Sequence, residues 1–264
     1  MLTCVRGDGL GAQVHARASV DAFSSFIRIP YKESSFNSLT PKVSQAELSR
    51  LSLAFESTDI EITESENARK RVLRGPLQFW RELIQLRGTS TEVVINLLDA
   101  HAFSNSFPDL LGPYFRKFVP RLVAPLVRNS DTNERTGVLH LRRGLMNDSE
   151  FAMRAERPGV IQEAQRIFKL HKISSVTLCA YELHDFEFKN LPGDWTKKIG
   201  GSIYETILLG LTADCFIAAK SSLSYCIAGA REGLVYCEAF WHPKFRKWKL
   251  LPLRAAGPKR LARD

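Results

Sequence analysis

Three side chains suited to binding an anion end a short apolar run in the middle of the chain. The segment from Gly137 to Gly144 reads GVLHLRRG, so a predicted strand ends in His140, Arg142 and Arg143 before the chain turns at glycine. Ligands bind at strand ends of open α/β sheets, and the planar guanidinium group of arginine matches phosphate oxygens. The segment indicates either an anion site or a solvated basic turn.

A glycine-spaced loop near the N-terminus has a similar potential. Gly9 and Gly11 lie between a predicted strand at Leu2 to Arg6 and a predicted helix. In such a place backbone N–H groups and the helix N-terminus attract negative charge. The spacing differs from the dinucleotide fingerprint, and the alternative is a structural turn that needs glycine.

A third segment combines an acid with hydroxyl groups. Asp214 introduces a predicted strand, and Ser221, Ser222 and Ser224 stand where the following helix begins. Hydroxyls and backbone donors at that point suit a phosphate or a ribose, and the alternative is a helix cap with no ligand.

The bulk composition is that of a soluble globular protein. The 264 residues, 44% of them hydrophobic, suffice for one large or two small domains, and the net charge of +9 favours anionic partners. No signal peptide or membrane-spanning run is evident, so a cytoplasmic location is expected. The odd cysteine count and the lack of CxxC pairs indicate buried thiols at Cys4, Cys179, Cys215, Cys226 and Cys237.

Strand and helix patterns alternate in both halves, which predicts an α/β fold with a parallel sheet in each. The polar run from Asn129 to Thr136 marks a domain boundary, which we place between residues 132 and 133. Predicted strands are 2–6, 93–98, 137–141, 175–180, 215–218 and 234–237; predicted helices begin near 12, 45, 64, 107, 159, 202 and 222.

Taken in order, the three segments resemble the fucosyltransferases of the α-1,2 type and their α-1,6 and protein O-fucosyltransferase relatives. The resemblance is carried by the glycine loop Gly7 to Gln13, by His140 to Gly144, by Asp214 with the serines, and by Phe240-Trp-His-Pro243. It implies two Rossmann-like domains facing across a cleft, the GT-B type, with residues 1–132 on the acceptor side and 133–264 binding the nucleotide sugar. It also implies inverting transfer of a sugar, fucose from GDP-fucose being the first choice, to a glycan or other hydroxyl acceptor.

The resemblance gives each motif a role. One arginine of the pair Arg142 and Arg143, preferably Arg143, holds the β-phosphate and stabilises the charge on the leaving group. His140 lies beside the nucleotide, and Gly9 and Gly11 let the loop approach the diphosphate. The residues implied near guanine, ribose or phosphate are Asp214, Ser221, Ser222 and Ser224. No metal is expected, because the sequence has no DxD motif and no ligand cluster at metal spacing.

The general base is left open among Asp148, Glu150, His15 and Asp21, each interpreted first as a surface or capping residue. The run Phe240 to Pro243 is interpreted first as packing.

Two alternatives remain. One is a non-enzymatic basic module for nucleic acid or an anionic surface, although no nucleic-acid signature accompanies the charge, which also allows peripheral membrane contact. The other is a decayed glycosyltransferase, since Leu145 and Ala12 replace the family's usual aspartate and asparagine.

Overall fold

The structure is a computed structural model in which the chain forms two units of tertiary contact. The first unit holds residues 1–128, 222–232 and 242–246, and the second holds 129–221, 233–241 and 247–264. The residues described are 2–4, 9–28, 30–31, 85, 93–95, 103–123, 134–142, 159–183, 187, 189, 191–239 and 241–252. The helices predicted near 45 and 64 lie outside these ranges, apart from residue 85.

The elements alternate as the sequence predicts. In chain order they are β1 (Leu2–Cys4), α1 (Leu10–Ile27), β2 (Val93–Ile95), a 3-10 turn (Pro108–Leu111), α2 (Gly112–Val123), β3 (Thr136–Leu141), α3 (Val160–Leu170), β4 (Ser175–Ala180), β5 (Thr196–Ile199), α4 (Ile203–Thr212), β6 (Cys215–Ala218), α5 (Ser222–Ala230), β7 (Leu234–Cys237) and β8 (Lys249–Leu250).

In the first unit, helix α1 is buried on nearly all sides and packs against α2 and α5. Its interior includes Arg17, which is fully buried and whose guanidinium donates to the carbonyl oxygen of Gln13 at 3.0 Å. Asp21 forms an ion pair with Lys117 of α2 at 2.6 Å. The charges of Arg17 and Asp21 thus have partners inside the unit, which offsets the cost of burying them.

Strands β1 and β2 form a parallel pair in the same unit, with Leu2 opposite Val93. Parallel pairing needs a long crossover connection, which is typical of α/β folds. None of the helices in the described ranges is both long enough and apolar enough to span a bilayer.

The second unit is built on a six-stranded sheet in which all neighbouring strands are parallel. The spatial order is β5-β4-β3-β6-β7-β8. Counted within this sheet, the order is 3-2-1-4-5-6, that of the dinucleotide-binding Rossmann sheet. The direction of winding reverses between β3 and β6, so the switch point lies at the carboxyl ends of these two strands.

The core of the second unit explains why the sequence predicts its central strands well. Leu139, Leu178 and Ile217 of β3, β4 and β6 are fully buried, as expected for parallel strands with both faces covered. Helix α3 covers the sheet with Ile167 and Phe168, which belong to the same apolar cluster. Burial of this apolar surface holds the carboxyl edge in place.

Four of the five cysteines are buried and none of these four forms a disulfide, which confirms their interpretation as buried thiols. Burial raises the pKa of Cys179 to about 11 and that of Cys226 well above its ordinary value. For Cys4, the fifth cysteine, the structure describes the backbone, which belongs to β1.

Candidate functional site

The carboxyl edge of the six-stranded sheet carries a cation on each side of the switch point. Arg142 directly follows β3, and Lys220 follows the end of β6 by two residues. Leu139 pairs with Ile217 across the two strands, and Arg142 and Lys220 each stand three positions beyond these partners. Both cations therefore follow neighbouring strands at the place where open α/β sheets bind ligands.

His140 lies next to the end of β3 and is half-buried. Its pKa is lowered from 6.5 to about 4, first by desolvation and second by the positive charge of Arg142. The imidazole is therefore neutral near pH 7 and offers a donor and an acceptor rather than a charge. An anion at this edge would draw its counter-charge from Arg142.

A buried ion pair lies at the same edge, and sequence reasoning missed its importance. Lys220 Nζ is 3.0 Å from Oε2 of Glu238, which directly follows β7, and the two side chains are only 8% and 2% exposed. The only sequence signal was a lysine and a glutamate, each within two residues of the end of a buried strand. Their pairing depends on β6 and β7 being neighbours.

Asp214 is placed at the opposite, amino edge of the sheet. Its carboxylate accepts from the backbone N–H of Thr136 at 2.7 Å, and its own N–H donates to the carbonyl oxygen of Thr136 at 2.9 Å. Thr136 and Arg142 are separated by six strand positions, or about 20 Å at roughly 3.3 Å per residue. The structure does not bring Asp214 together with His140 and Arg142, because a strand puts its two ends at different edges.

The three serines are divided between the two units. Ser221 is buried and stands next to Lys220, as the last residue of the second unit before α5 begins. Ser222 and Ser224 begin α5 of the first unit, where Ser224 is fully buried and Ser222 Oγ lies 3.2 Å from Nε2 of His242. Ligand contacts of these serines stay a prediction.

The glycines of the N-terminal loop differ in their surroundings. Gly9 caps α1, and a Cβ added there would meet nothing within 4 Å, whereas a Cβ at Gly11 would overlap the backbone of Leu223 in α5. Gly11 thus allows the close approach of α1 to α5. Approach of either glycine to a diphosphate stays a prediction.

Two general-base candidates occupy places other than those expected. The interpretation of His15 as a surface or capping residue is wrong, because its ring is fully buried with its centroid 4.4 Å from that of His242 and 5.0 Å from that of Tyr225. Asp21 is likewise buried, in its pair with Lys117. The packing interpretation is confirmed for His242, whereas Trp241 is 40% exposed. Arg143, Leu145, Asp148 and Glu150 lie outside the described residues.

The sequence matches no protein-family model and no curated protein. The chain is similar in fold to solved fucosyltransferases. One is fucosyltransferase NodZ from Bradyrhizobium, with 16% identity over 86% of this chain and 92% of that one, at a TM-score of 0.46. Another, at 9% identity over 96% of this chain and 97% of that one, is POFUT1 in complex with GDP-fucose, with a TM-score of 0.49.

A structure of NodZ α-1,6-fucosyltransferase co-crystallized with GDP is also similar, at 16% identity and a TM-score of 0.46, and the match covers 86% of this chain and 91% of that one.

Proposed function

We propose that this chain binds a nucleotide diphosphate sugar, GDP-fucose being the first choice, and transfers the sugar to a hydroxyl group of a glycan or other acceptor. One observation carries the proposal: Arg142, which precedes Arg143 in the sequence, directly follows the central strand of a Rossmann-ordered sheet at its switch point. The ordered motifs of the sequence point to the same chemistry.

Arginine at this edge has a defined task in such a reaction. The acceptor oxygen forms a bond to the anomeric carbon while the bond from that carbon to the β-phosphate oxygen breaks, and GDP leaves with the bonding electrons. A guanidinium group stabilises the negative charge that develops on the diphosphate. The acceptor proton passes to a base, for which Asp148 and Glu150 remain the candidates. Attack from the side opposite the diphosphate gives inversion.

The neutral state of His140 fits a role beside the nucleotide. A neutral imidazole donates to or accepts from a hydroxyl or base edge without adding charge. Arg142 and Arg143 then supply the charge that a divalent cation supplies in other glycosyltransferases. The resemblance also implies the GT-B arrangement of two Rossmann-like domains, and the strand order of the second unit supports one of these. Independence from metal and a cytoplasmic location stay predictions.

Calorimetric titration with GDP tests the binding step, with the wild type compared to Arg142→Ala and Arg143→Ala. Loss of a charge-assisted phosphate contact costs about 1.5 to 3 kcal/mol, or roughly a 10- to 150-fold loss of affinity. We expect that loss in at least one variant, with Arg143→Ala the more affected. Arg166→Ala is the matched control, because Arg166 lies on α3 with its side chain 62% exposed. No GDP binding by folded wild type, or the same loss in the control, contradicts the proposal.

Transfer and hydrolysis assays with GDP-fucose in the presence of EDTA test the chemistry. An active enzyme of the proposed type releases GDP under these conditions. A protein that binds GDP but never releases it from GDP-fucose is the decayed relative that Leu145 and Ala12 suggest. A protein that ignores GDP and binds random DNA with a steep salt dependence is the basic module instead.

A further inference from the structure

The ion pair of Lys220 and Glu238 is deeply buried at the carboxyl edge of the six-stranded sheet. Both side chains are at least nine-tenths buried, whereas the pair Lys198 and Glu205 in the same unit is about 40% exposed on both sides. Moving two charges out of water costs as much as their attraction returns, and apolar replacements of buried pairs are often neutral or stabilising. A buried pair kept at a ligand-binding edge therefore points to a task other than stability.

The position of the pair suggests that task. Lys220 follows β6, on the opposite side of the switch point from Arg142, and parallel neighbours lie about 4.8 Å apart. Glu238 follows β7, whose last residue Cys237 pairs with Ala218 of β6. Glu238 thus holds the ammonium group from the side away from β3.

We propose that Lys220 is a further phosphate-binding cation of this edge, held in place by Glu238. The proposal rests on the proposed function, since it names a binding residue for the diphosphate of the same nucleotide. Lysine suits this task because its ammonium group is a compact charge that donates hydrogen bonds to phosphate oxygens.

Among the described residues, the cations that follow the two strands at the switch point are Arg142 and Lys220, and Glu238 balances one of their charges. The remaining positive charge suits a phosphate group. The pair of Lys220 and Glu238 is neutral in itself, so Lys220 adds a donor held in one place and leaves the total charge unchanged.

The test measures binding of GDP and of inorganic pyrophosphate to the full chain by calorimetry at fixed salt. The double variant Lys220→Met/Glu238→Leu removes both buried charges together, so that neither is left unpaired. We expect at least a tenfold loss of affinity for both ligands. The matched control Lys198→Met/Glu205→Leu makes the same change in the exposed pair and should bind both ligands as the wild type does.

A second variant separates ligand binding from architecture. Glu238→Gln keeps the ammonium group but removes its internal counter-charge, so a phosphate becomes the better partner for Lys220. We expect pyrophosphate to bind at least threefold more tightly than to the wild type, and we expect this gain to vanish in Lys220→Met/Glu238→Gln. A gain that persists without Lys220 reflects only the loss of a negative charge and overturns the role of Lys220. This comparison decides the question if Lys220→Met/Glu238→Leu does not fold.

The outcomes distinguish this inference from the proposed function. A folded double variant that binds GDP and pyrophosphate as the wild type does overturns the role of Lys220 and leaves the nucleotide site standing. Pyrophosphate binding that depends on Lys220, without any preference for GDP, keeps this inference and removes the proposed function. A wild type that binds neither ligand contradicts both.

Discussion

The two edges of the six-stranded sheet use their polar groups differently. At the amino edge, the carboxylate of Asp214 accepts from the backbone of Thr136, and Ser174 Oγ donates to the carbonyl oxygen of Arg135 at 3.1 Å. At the carboxyl edge, Arg142 and the pair of Lys220 and Glu238 bring charged side chains to the switch point. At the amino edge a carboxylate and a hydroxyl tie neighbouring strands together, whereas the carboxyl edge holds a buried ion pair and Arg142.

This contrast between the two edges indicates that the carboxyl edge is the one to test for ligand binding. Side chains that form hydrogen bonds with the backbone of a neighbouring strand help to hold the strands of the sheet together. A buried ion pair such as Lys220 and Glu238 is weak evidence for stability, and we therefore propose a ligand as the reason for its position. Substitutions at the two edges should therefore differ in their effects on stability and on GDP affinity.

The largest expected effect on stability is at the carboxyl edge. Lys220→Met alone leaves the carboxylate of Glu238 buried without its ammonium partner, which costs about 3 to 5 kcal/mol. Lys198→Met disrupts the exposed pair with Glu205 and should cost no more than about 1 kcal/mol. Urea denaturation of both variants measures the difference. Equal losses would mean that the buried pair is no more demanding than a surface pair.

The free energy of unfolding should also depend on pH, because of His140. Its pKa is about 4 in the folded protein and 6.5 ordinarily. Between these values the unfolded chain holds a proton that the folded chain lacks, so lowering the pH favours unfolding. The free energy of unfolding should decrease as the pH falls from 6.5 toward 4.

His140→Gln, which does not titrate, should flatten that decrease. His171 at the amino edge contributes with the same sign, because desolvation, Lys249 and Arg135 lower its pKa. The double variant with His171→Gln should therefore be flatter still. Denaturation curves across this pH interval provide the measurement, and a slope unchanged by His140→Gln would show that the half-buried imidazole protonates without penalty.

The smallest effect is expected at the amino edge. Asp214→Ala removes the acceptor of the Thr136 N–H group in an exposed setting, which costs about 1 kcal/mol. GDP affinity should not change, since the carboxylate lies at the far end of the strands. A tenfold loss of GDP affinity in a folded Asp214→Ala protein would instead restore the role near the nucleotide that the sequence motif implied.

The central strands could be predicted from sequence because burial on both faces selects continuous apolar runs. Ser175–Ala180, Cys215–Ala218 and Leu234–Cys237 match the predicted bounds, and β3 begins one residue earlier than expected. The pattern is strong wherever both faces of a strand are covered.

The outer strands could not be predicted in this way. Strand β5 (Thr196–Ile199) reads TKKI and is mostly exposed, and β8 has only two residues, Lys249 and Leu250. Short, lysine-bearing edge strands give no apolar run, because charge at an edge discourages pairing with other chains. The strand order, and with it the switch point between β3 and β6, depends on which strands pair, and no local run of residues records that pairing.

The sequence predicted that His140 and Arg142 lie at the end of a strand, and the structure confirms that position. Their contact with a ligand stays a prediction. The pairing of Lys220 with Glu238 and the burial of His15 beside His242 depend on contacts between segments far apart in sequence, and no local pattern records them. The sequence motif also implied a place for Asp214 near the nucleotide. The structure puts it at the amino edge, because Asp214 directly precedes β6.

An NMR titration of the histidine side chains with and without saturating GDP tests nucleotide binding at the carboxyl edge, with His140→Gln and His171→Gln used for assignment. A diphosphate beside the end of β3 stabilises the imidazolium form, so the pKa of His140 should rise from about 4 while that of His171 stays constant. An unchanged pKa at His140 with GDP bound, or an equal rise at His171, would contradict nucleotide binding at the carboxyl edge.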